Sequence, residues 1–328
     1  MVAARTSVPW NDVACGASCA SPEFDQCGGA VIAVRDMKMP PFEYACPTTL
    51  NEAIALLASH DDAKALAGGQ SLVPMLAFRL AQPTLLVDLR KIADLRAIEI
   101  SADGVRLGAM ARWRDILDDE RLTTAHPLLK AAIAEVAHYQ IRNRGTVGGS
   151  LAHADPAAEM PGIAVTCEAK ISVRGKAGTR VIKAGDFFRG ALTTALAADE
   201  IIVDVALPPW PARRKWGFQE FARRRGDFAL SAAAVFYDED ERGKARNVHV
   251  GAIGVGDTPL RLPAVEKILE GQSIDEDVIV KADAAAASSV QPHDDIHGSA
   301  AYRRALTGTM VERALWMACR GETCRKPQ

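Results

Sequence analysis

Two glycine clusters constrain this chain more than any other feature: Ala67-Gly68-Gly69-Gln70-Ser71 and Gly145-Thr146-Val147-Gly148-Gly149-Ser150, each set into an apolar stretch. A glycine inside a regular element costs roughly 1 kcal/mol relative to alanine, so adjacent glycines mark places where the backbone takes positive φ or meets another group closely. Two such loops converging on one ligand can present backbone N–H groups that no side chain obstructs, which suits an anionic pyrophosphate. Ser71, Thr146 and Ser150 would add hydroxyl donors. Taken singly, either cluster reads equally well as a plain turn. The pair argues for more. The nearest glycine run elsewhere, Gly251-Ala252-Ile253-Gly254-Val255-Gly256, lacks the G-x-G-x-x-G spacing, and there is no G-x-x-x-x-G-K-[ST]. A nucleotide, if bound, is therefore held outside the two commonest loop designs.

The segments around the loops mix helix and strand. Thr49-Leu50-Asn51-Glu52 has capping-box spacing, and Leu50, Ala53, Ile54 and Leu57 fall on one helical face. The pattern predicts a helix over 72–80 after the first loop and a buried strand over 83–89. Alternation marks 105–110, helical periodicity marks 128–137, and strands are expected near 171–173 and 201–207. No regular βαβ repetition appears, so the fold class is α+β. Pro208, Pro209 and Pro211 remove backbone donors and fix φ, which places a domain boundary there. Beyond it, strands are expected over 216–222, 230–237 and 248–255, then helices over 277–289 and 301–319. The expected organisation is an extension over 1–36, a domain over 37–211 and a smaller α+β domain over 212–328. The extension is rich in Cys, Gly and Ser and is either disordered or upstream of the true start.

Composition narrows the function classes. At 328 residues with 48% apolar and 24% charged residues, the chain has enough material for two globular domains and no run of the length a membrane span needs. A formal net charge of -2 gives no field to recruit nucleic acid. Seven cysteines, at 15, 19, 27, 46, 167, 319 and 324, show neither zinc-site nor disulfide spacing, and the start has no export signal, so a cytoplasmic protein with reduced thiols is expected.

The residues then carry a resemblance. Ala67 to Leu72, with Pro74, Arg79-Leu80 and Leu86-Val87-Asp88-Leu89, resembles the first FAD-binding segment of the flavoprotein (medium) subunits of the molybdenum hydroxylases, the xanthine dehydrogenase and carbon monoxide dehydrogenase family. Gln140 to Ser150, with Asp155-Pro156 and Glu159-Met160-Pro161, resembles the second. The likeness runs from about residue 39 to 321. It implies a two-subdomain FAD-binding domain followed by a smaller C-terminal α+β domain. It also implies FAD held by Ala67, Gly68, Gly69, Gln70, Ser71, Thr146, Val147, Gly148, Gly149, Ser150 and Glu159. The sequence departs from the family pattern at Ser150, where asparagine is frequent, and at Glu159, where aspartate is. Gln70 stands where the carbon monoxide branch has histidine, which points toward relatives acting on N-heteroaromatic compounds or aldehydes.

By resemblance the chain is an electron-transfer subunit. It would take electrons from two [2Fe-2S] clusters in a small subunit, while a large subunit hydroxylates substrate at a molybdenum cofactor, in a dimer of heterotrimers. No catalytic acid, base or metal site is expected in this chain. A self-sufficient flavin reductase of the same superfamily and a flavin-free scaffold are the competing readings.

Other features have plainer readings. Cys15, Cys19 and Cys27 do not match ferredoxin spacing. His293 and His297 sit in a Pro- and Gly-bounded loop. Arg142 and Arg144 can neutralise phosphate or simply pack, the basic triplet 223–225 reads as a solvated face or, by the resemblance, as an approach to the flavin edge or a partner, His138 and Tyr139 as capping or core residues, and Met75, Leu76 and Phe78 as core.

Overall fold

The computed structural model describes residues 39–320. The extension over 1–36 with its three cysteines, and Cys324, lie outside the described residues.

The first part of the chain builds a three-stranded parallel sheet, with Leu85–Asp88 between Glu43–Ala45 and Ala63–Leu66. The capping box forms: the Thr49 hydroxyl accepts the Glu52 N–H at 3.2 Å, and the Glu52 carboxylate accepts the Thr49 N–H at 3.2 Å. The helix it starts, Leu50–Ser59, buries Ala53, Ile54 and Leu57 in a small core with Leu85, Val87 and Ile92. The helix after the first glycine loop spans Leu72–Ala77, shorter than its apolar pattern predicts. Arg79 takes φ 57 and ends it, which leaves Leu76 fully buried but turns Phe78 out, 77% exposed, rather than into the core.

Next comes a five-stranded antiparallel sheet in the order Ile98–Ser101, Gly104–Gly108, Ile201–Leu207, Lys170–Gly175, Gly178–Lys183. The helices Trp113–Asp118, Pro127–Glu135, Val147–His153 and Glu159–Thr166 lie between its second and fourth strands in the chain. The helix expected to reach residue 137 stops at Glu135, and Ala137 follows with φ 38. Its N-cap is His126, whose Nδ1 accepts the Leu129 N–H at 3.2 Å inside the core. Burial holds this imidazole's pKa down at about 3, so it stays neutral.

After the proline run, a four-stranded antiparallel sheet takes the order Lys215–Phe221, Ser231–Glu239, Ala245–Ile253, Leu260–Arg261. Its second strand is buried on both faces. Ala233, Val235 and Tyr237 pack with residues of the helices Pro263–Leu269, Glu276–Ser289 and Ala300–Arg320. Ala232, Ala234 and Phe236 alternate to the opposite face and join Leu107, Ile133, Ile163 and Val205 in the main core. The prolines therefore interrupt regular structure without interrupting the packing. That continuous core brings the C-terminal sheet against the helix Glu159–Thr166.

Candidate cofactor site

The first glycine loop leaves the C-terminal end of the strand Ala63–Leu66, at one edge of the parallel sheet. Gly69 takes φ 72, a conformation that glycine adopts without penalty. The Gln70 side chain folds back to donate to the Gly68 carbonyl at 3.0 Å, which fixes the loop from within. The N–H groups of Gly68, Gly69, Gln70 and Ser71 have no partner among the described residues, and neither has the Ser71 hydroxyl. Four consecutive unpaired amides leave donors available to an anion.

The second loop is built in the opposite way. Val147 donates to the Ala111 carbonyl at 3.0 Å and Gly148 to the Ala109 carbonyl at 2.8 Å. Gly149 donates to the Thr146 hydroxyl at 3.2 Å, and Ser150 to the Thr146 carbonyl at 3.0 Å, as the helix Val147–His153 begins. These amides lock the loop to the core. Val147 is fully buried, while Gly149 and Ser150 are partly exposed.

The two loops touch. A side-chain carbon at Gly68 would strike the Arg144 carbonyl oxygen and lie 2.9 Å from the Gly145 Cα, and one at Gly149 would lie 3.5 Å from the Ala67 Cβ. Ala67 to Ser71 and Thr146 to Ser150 thus form one continuous wall, with the free amides supplied by the first loop and the rigid backing by the second. Gly68 matters for this junction and Gly69 for its φ.

Glu159 opens the helix Glu159–Thr166, a helix that the sequence reading did not anticipate. The residue is 8% exposed, and its own backbone N–H is the group that favours its ionised form. Burial, then the neighbouring Asp155 and Glu135, pushes its pKa up to about 7. A second acid, Glu220, half-buried with its Oε2 enclosed and unbonded, was also missed. It sits on the strand Lys215–Phe221, and burial followed by Glu159 and Glu135 pushes its pKa up to about 9. The available signal was its position: in Trp216-Gly217-Phe218-Gln219-Glu220, strand alternation puts Glu220 in phase with two aromatics.

Several neighbours settle differently from their sequence readings. The Arg142 guanidinium donates to the Val136 and Ala137 carbonyls, both at 2.9 Å, and so packs rather than facing the loop. Arg144 contributes its backbone to the junction while its side chain is exposed. His138 occupies an N-cap without a side-chain bond, and Tyr139 is exposed, its hydroxyl accepting from Arg114 at 2.7 Å, so neither is a core residue. Arg223, Arg224 and Arg225 are exposed. The loop they begin closes on His138, whose ring lies 2.5 Å from where a Gly226 side chain would start. His293 precedes a tight turn and His297 lies within it, neither on a helix, and no group of three metal-ligating side chains occurs among the described residues.

A free-amide loop backed by a rigid one is the geometry of a protein suited to receiving an anionic group such as a phosphate. The chain belongs to the family described as FAD binding domain in molybdopterin dehydrogenase, matched over residues 40–210, and continues as a CO dehydrogenase flavoprotein C-terminal domain over 216–318. It is 39% identical to the nicotine 6-hydroxylase medium subunit of Paenarthrobacter nicotinovorans, over 85% of this chain and 98% of that one. It is 34% identical to the carbon monoxide dehydrogenase medium chain of Hydrogenophaga pseudoflava, over 85% and 99%. Among solved structures, quinoline 2-oxidoreductase from Pseudomonas putida 86 superposes with a TM-score of 0.83 at 39% identity, covering 88% of this chain and all of that one. The chain is an oxidoreductase subunit of this family, with the expected α+β architecture of an FAD-binding domain followed by a C-terminal domain. No described helix is long and apolar enough to cross a membrane.

Proposed function

We propose that this chain is the FAD-binding electron-transfer subunit of a molybdenum hydroxylase assembled from three kinds of chain. The observation that carries the reading is the junction of the two glycine loops: unpaired amides at 68–71, with Gly68 against the Arg144 carbonyl. These residues fit FAD. The amides of Gly68 to Ser71 would receive the pyrophosphate, the Ser71 and Ser150 hydroxyls would add donors, and the Glu159 carboxylate would accept from cofactor hydroxyls. Bound FAD supplies the exchange between single-electron donors and a two-electron acceptor. The protein's own part is to bind, orient and tune.

The donors in this reading are two [2Fe-2S] clusters of a small partner, and substrate is hydroxylated at the molybdenum cofactor of a large one. The complex is a cytoplasmic dimer of heterotrimers. Relatives named for nicotine, caffeine and quinoline support an N-heteroaromatic substrate, and one named for glyceraldehyde supports an aldehyde. Affinity purification of the chain expressed with its neighbouring genes tests this reading. One large and one small companion chain, with iron–sulfur absorbance beside the flavin bands, is the expected result. A single colourless chain would overturn it, and a yellow chain without companions would favour a self-sufficient reductase.

A further inference from the structure

Two loop tips meet at one end of the C-terminal domain. The first, 222–229, joins the strands Lys215–Phe221 and Ser231–Glu239. It is closed at its root by the Leu230 N–H, which donates to the Phe221 carbonyl at 2.8 Å, and turns where the Asp227 N–H donates to the Arg224 carbonyl at 3.0 Å. The second, 292–298, precedes the helix Ala300–Arg320 and turns between Asp295 and Gly298. Arg303 ties the two together. Its Nη1 donates to the Leu230 carbonyl at 2.9 Å and the Gly254 carbonyl at 3.0 Å, and its Nη2 donates to the Asp295 carboxylate at 2.6 Å. Arg303 is 7% exposed and its Nε is enclosed with no partner among the described residues, so a costly buried guanidinium stands where it fixes two exposed tips. Tyr302 touches the roots of both: its ring meets Phe221 edge-on at 6.5 Å, and its Cδ1 lies 3.3 Å from where a Gly298 side chain would start. The Arg223 Nη1 adds a direct link, donating to the His297 Nδ1 at 3.3 Å.

The tips present cations and apolar side chains. Arg223, Arg224 and Arg225 are exposed, and none of them pairs with a carboxylate among the described residues. Asp295 is held by Arg303 and the Asp294 carboxylate accepts the Ala300 N–H, which leaves Asp227 as the remaining acid of the two tips. A local positive patch results on a chain whose net charge is -2. Beside it, Phe228 is 66% exposed, Ile296 91% and Tyr302 45%. Arginine and aromatic side chains are the usual anchors of protein interfaces, and tips already fixed lose little entropy on docking. The face also reaches the cofactor domain. Gly226, at φ 89, leaves room for only 2.5 Å between a new side-chain carbon and the His138 ring. His138 starts the helix Tyr139–Arg142, the Gly145 N–H donates to the Ile141 carbonyl at 2.7 Å, and the carbonyl of Arg144 meets Gly68. One short helix thus links the first tip to the junction of the glycine loops.

We propose that the tips 222–229 and 292–298 dock the acidic face of a separate redox protein, which takes the electrons that leave this subunit. This inference rests on the FAD reading above. Two molecules of a one-electron acceptor are each reduced once as the two-electron-reduced cofactor is reoxidised, and two protons pass to solvent. The unpaired arginines steer an acidic partner over the range that salt permits, and Phe228 and Ile296 supply apolar contact once it arrives.

The test uses the purified complex, reduced photochemically and mixed with native cytochrome c, which is basic, or with succinylated cytochrome c, which carries the same haem inside an acidic surface. At an ionic strength of about 0.01 M, where charges act over about 30 Å, the succinylated form should be reduced about tenfold faster. That preference should vanish near about 1 M salt and in Arg223→Glu/Arg224→Glu/Arg225→Glu. It should survive in Arg242→Glu/Lys244→Glu, a charge reversal on the hairpin at the other end of the strand Ser231–Glu239. Benzoquinone, which carries no charge, should be reduced at one rate by wild type and triple variant. Binding of succinylated cytochrome c to the unreduced complex, followed on a biosensor, is a readout independent of flavin and should show the same dependence on salt and on the three arginines. Equal or faster reduction of native cytochrome c, or a preference retained in the triple variant, overturns the proposal. So does a triple variant that no longer assembles with its companion chains, which would make this face a contact within the complex. Binding of anionic lipid vesicles or duplex DNA through the three arginines, with no binding of succinylated cytochrome c, overturns it as well. If succinylated cytochrome c binds as expected but the complex passes no electrons even to benzoquinone, the FAD reading fails while the docking face stands.

Discussion

Replacing Gly68 by alanine adds one methyl group at the point where the two loops meet. In the unrelaxed structure that carbon overlaps the Arg144 carbonyl oxygen and lies 2.9 Å from both the Arg144 carbonyl carbon and the Gly145 Cα. All three are backbone atoms, so no rotamer change relieves the clash, and the loops must separate. Gly145 is itself held against the Trp113 indole, and its neighbours Val147 and Gly148 are bonded to Ala111 and Ala109, so the first loop is the one that moves. Overpacking of this kind costs about 1–3 kcal/mol. If the strain falls on the binding-competent arrangement, FAD affinity drops roughly five- to 150-fold. The assay is FAD titration of flavin-stripped complex, with thermal denaturation alongside. Gly190→Ala is the control, since nothing lies within 4 Å of its new carbon. Gly68→Ala with wild-type affinity and melting temperature would refute the idea that contact between the loops builds the site. Gly69→Val should also lose FAD, for a different reason: φ 72 is strained for a branched residue, and the new side chain would crowd Val73 and Leu66.

Thr146→Ala removes the hydroxyl that accepts the Gly149 N–H, and should cost about 1 kcal/mol of stability, largely recovered in Thr146→Ser, as read by denaturant midpoints. His126 is neutral in the fold and titrates near 6.5 when unfolded, so its contribution is complete above that value and is lost as pH falls toward about 3. His126→Asn, which can still cap the helix, should flatten the acid limb of a melting-temperature profile; an unchanged limb would show that other groups set it. Arg214 makes a two-pronged pair with Asp238, at 2.9 and 2.8 Å, and lies over the rings of Trp210 and Phe236. Arg214→Lys keeps the charge but loses the fork and the stacking, so a stability loss of about 1–3 kcal/mol is expected in thermal or denaturant unfolding.

The glycine loops were legible because glycine has few structural uses, and clusters of it narrow the backbone choices sharply. The capping box at Thr49 and the alternating strands of the C-terminal sheet were legible for a related reason: local chemistry and tertiary packing demand the same pattern there. The helix Glu159–Thr166 was hidden because all eight of its residues are buried, which erases the amphipathic period, and because Pro161 and Gly162 read as breakers. Pro161 stands in the first turn, where its missing N–H costs no helical bond. Gly162 is required by the Ile253 side chain packed against it. Phe78 looked like core because the pattern cannot foresee that Arg79 ends the helix one residue later. Glu220 was passed over since a charged residue in a strand suggests the solvent face. Its half-buried position, with Oε2 enclosed, comes from tertiary packing, which sequence periodicity does not report.

If the wall formed by residues 67–71 and 146–150 holds FAD, the cofactor stays with this chain through isolation. The most direct measurement is the ratio of extractable FAD to this chain in the complex isolated with its companion subunits. A ratio close to one is expected, and a complex that retains both companions but contains no FAD would rule out that role for the wall.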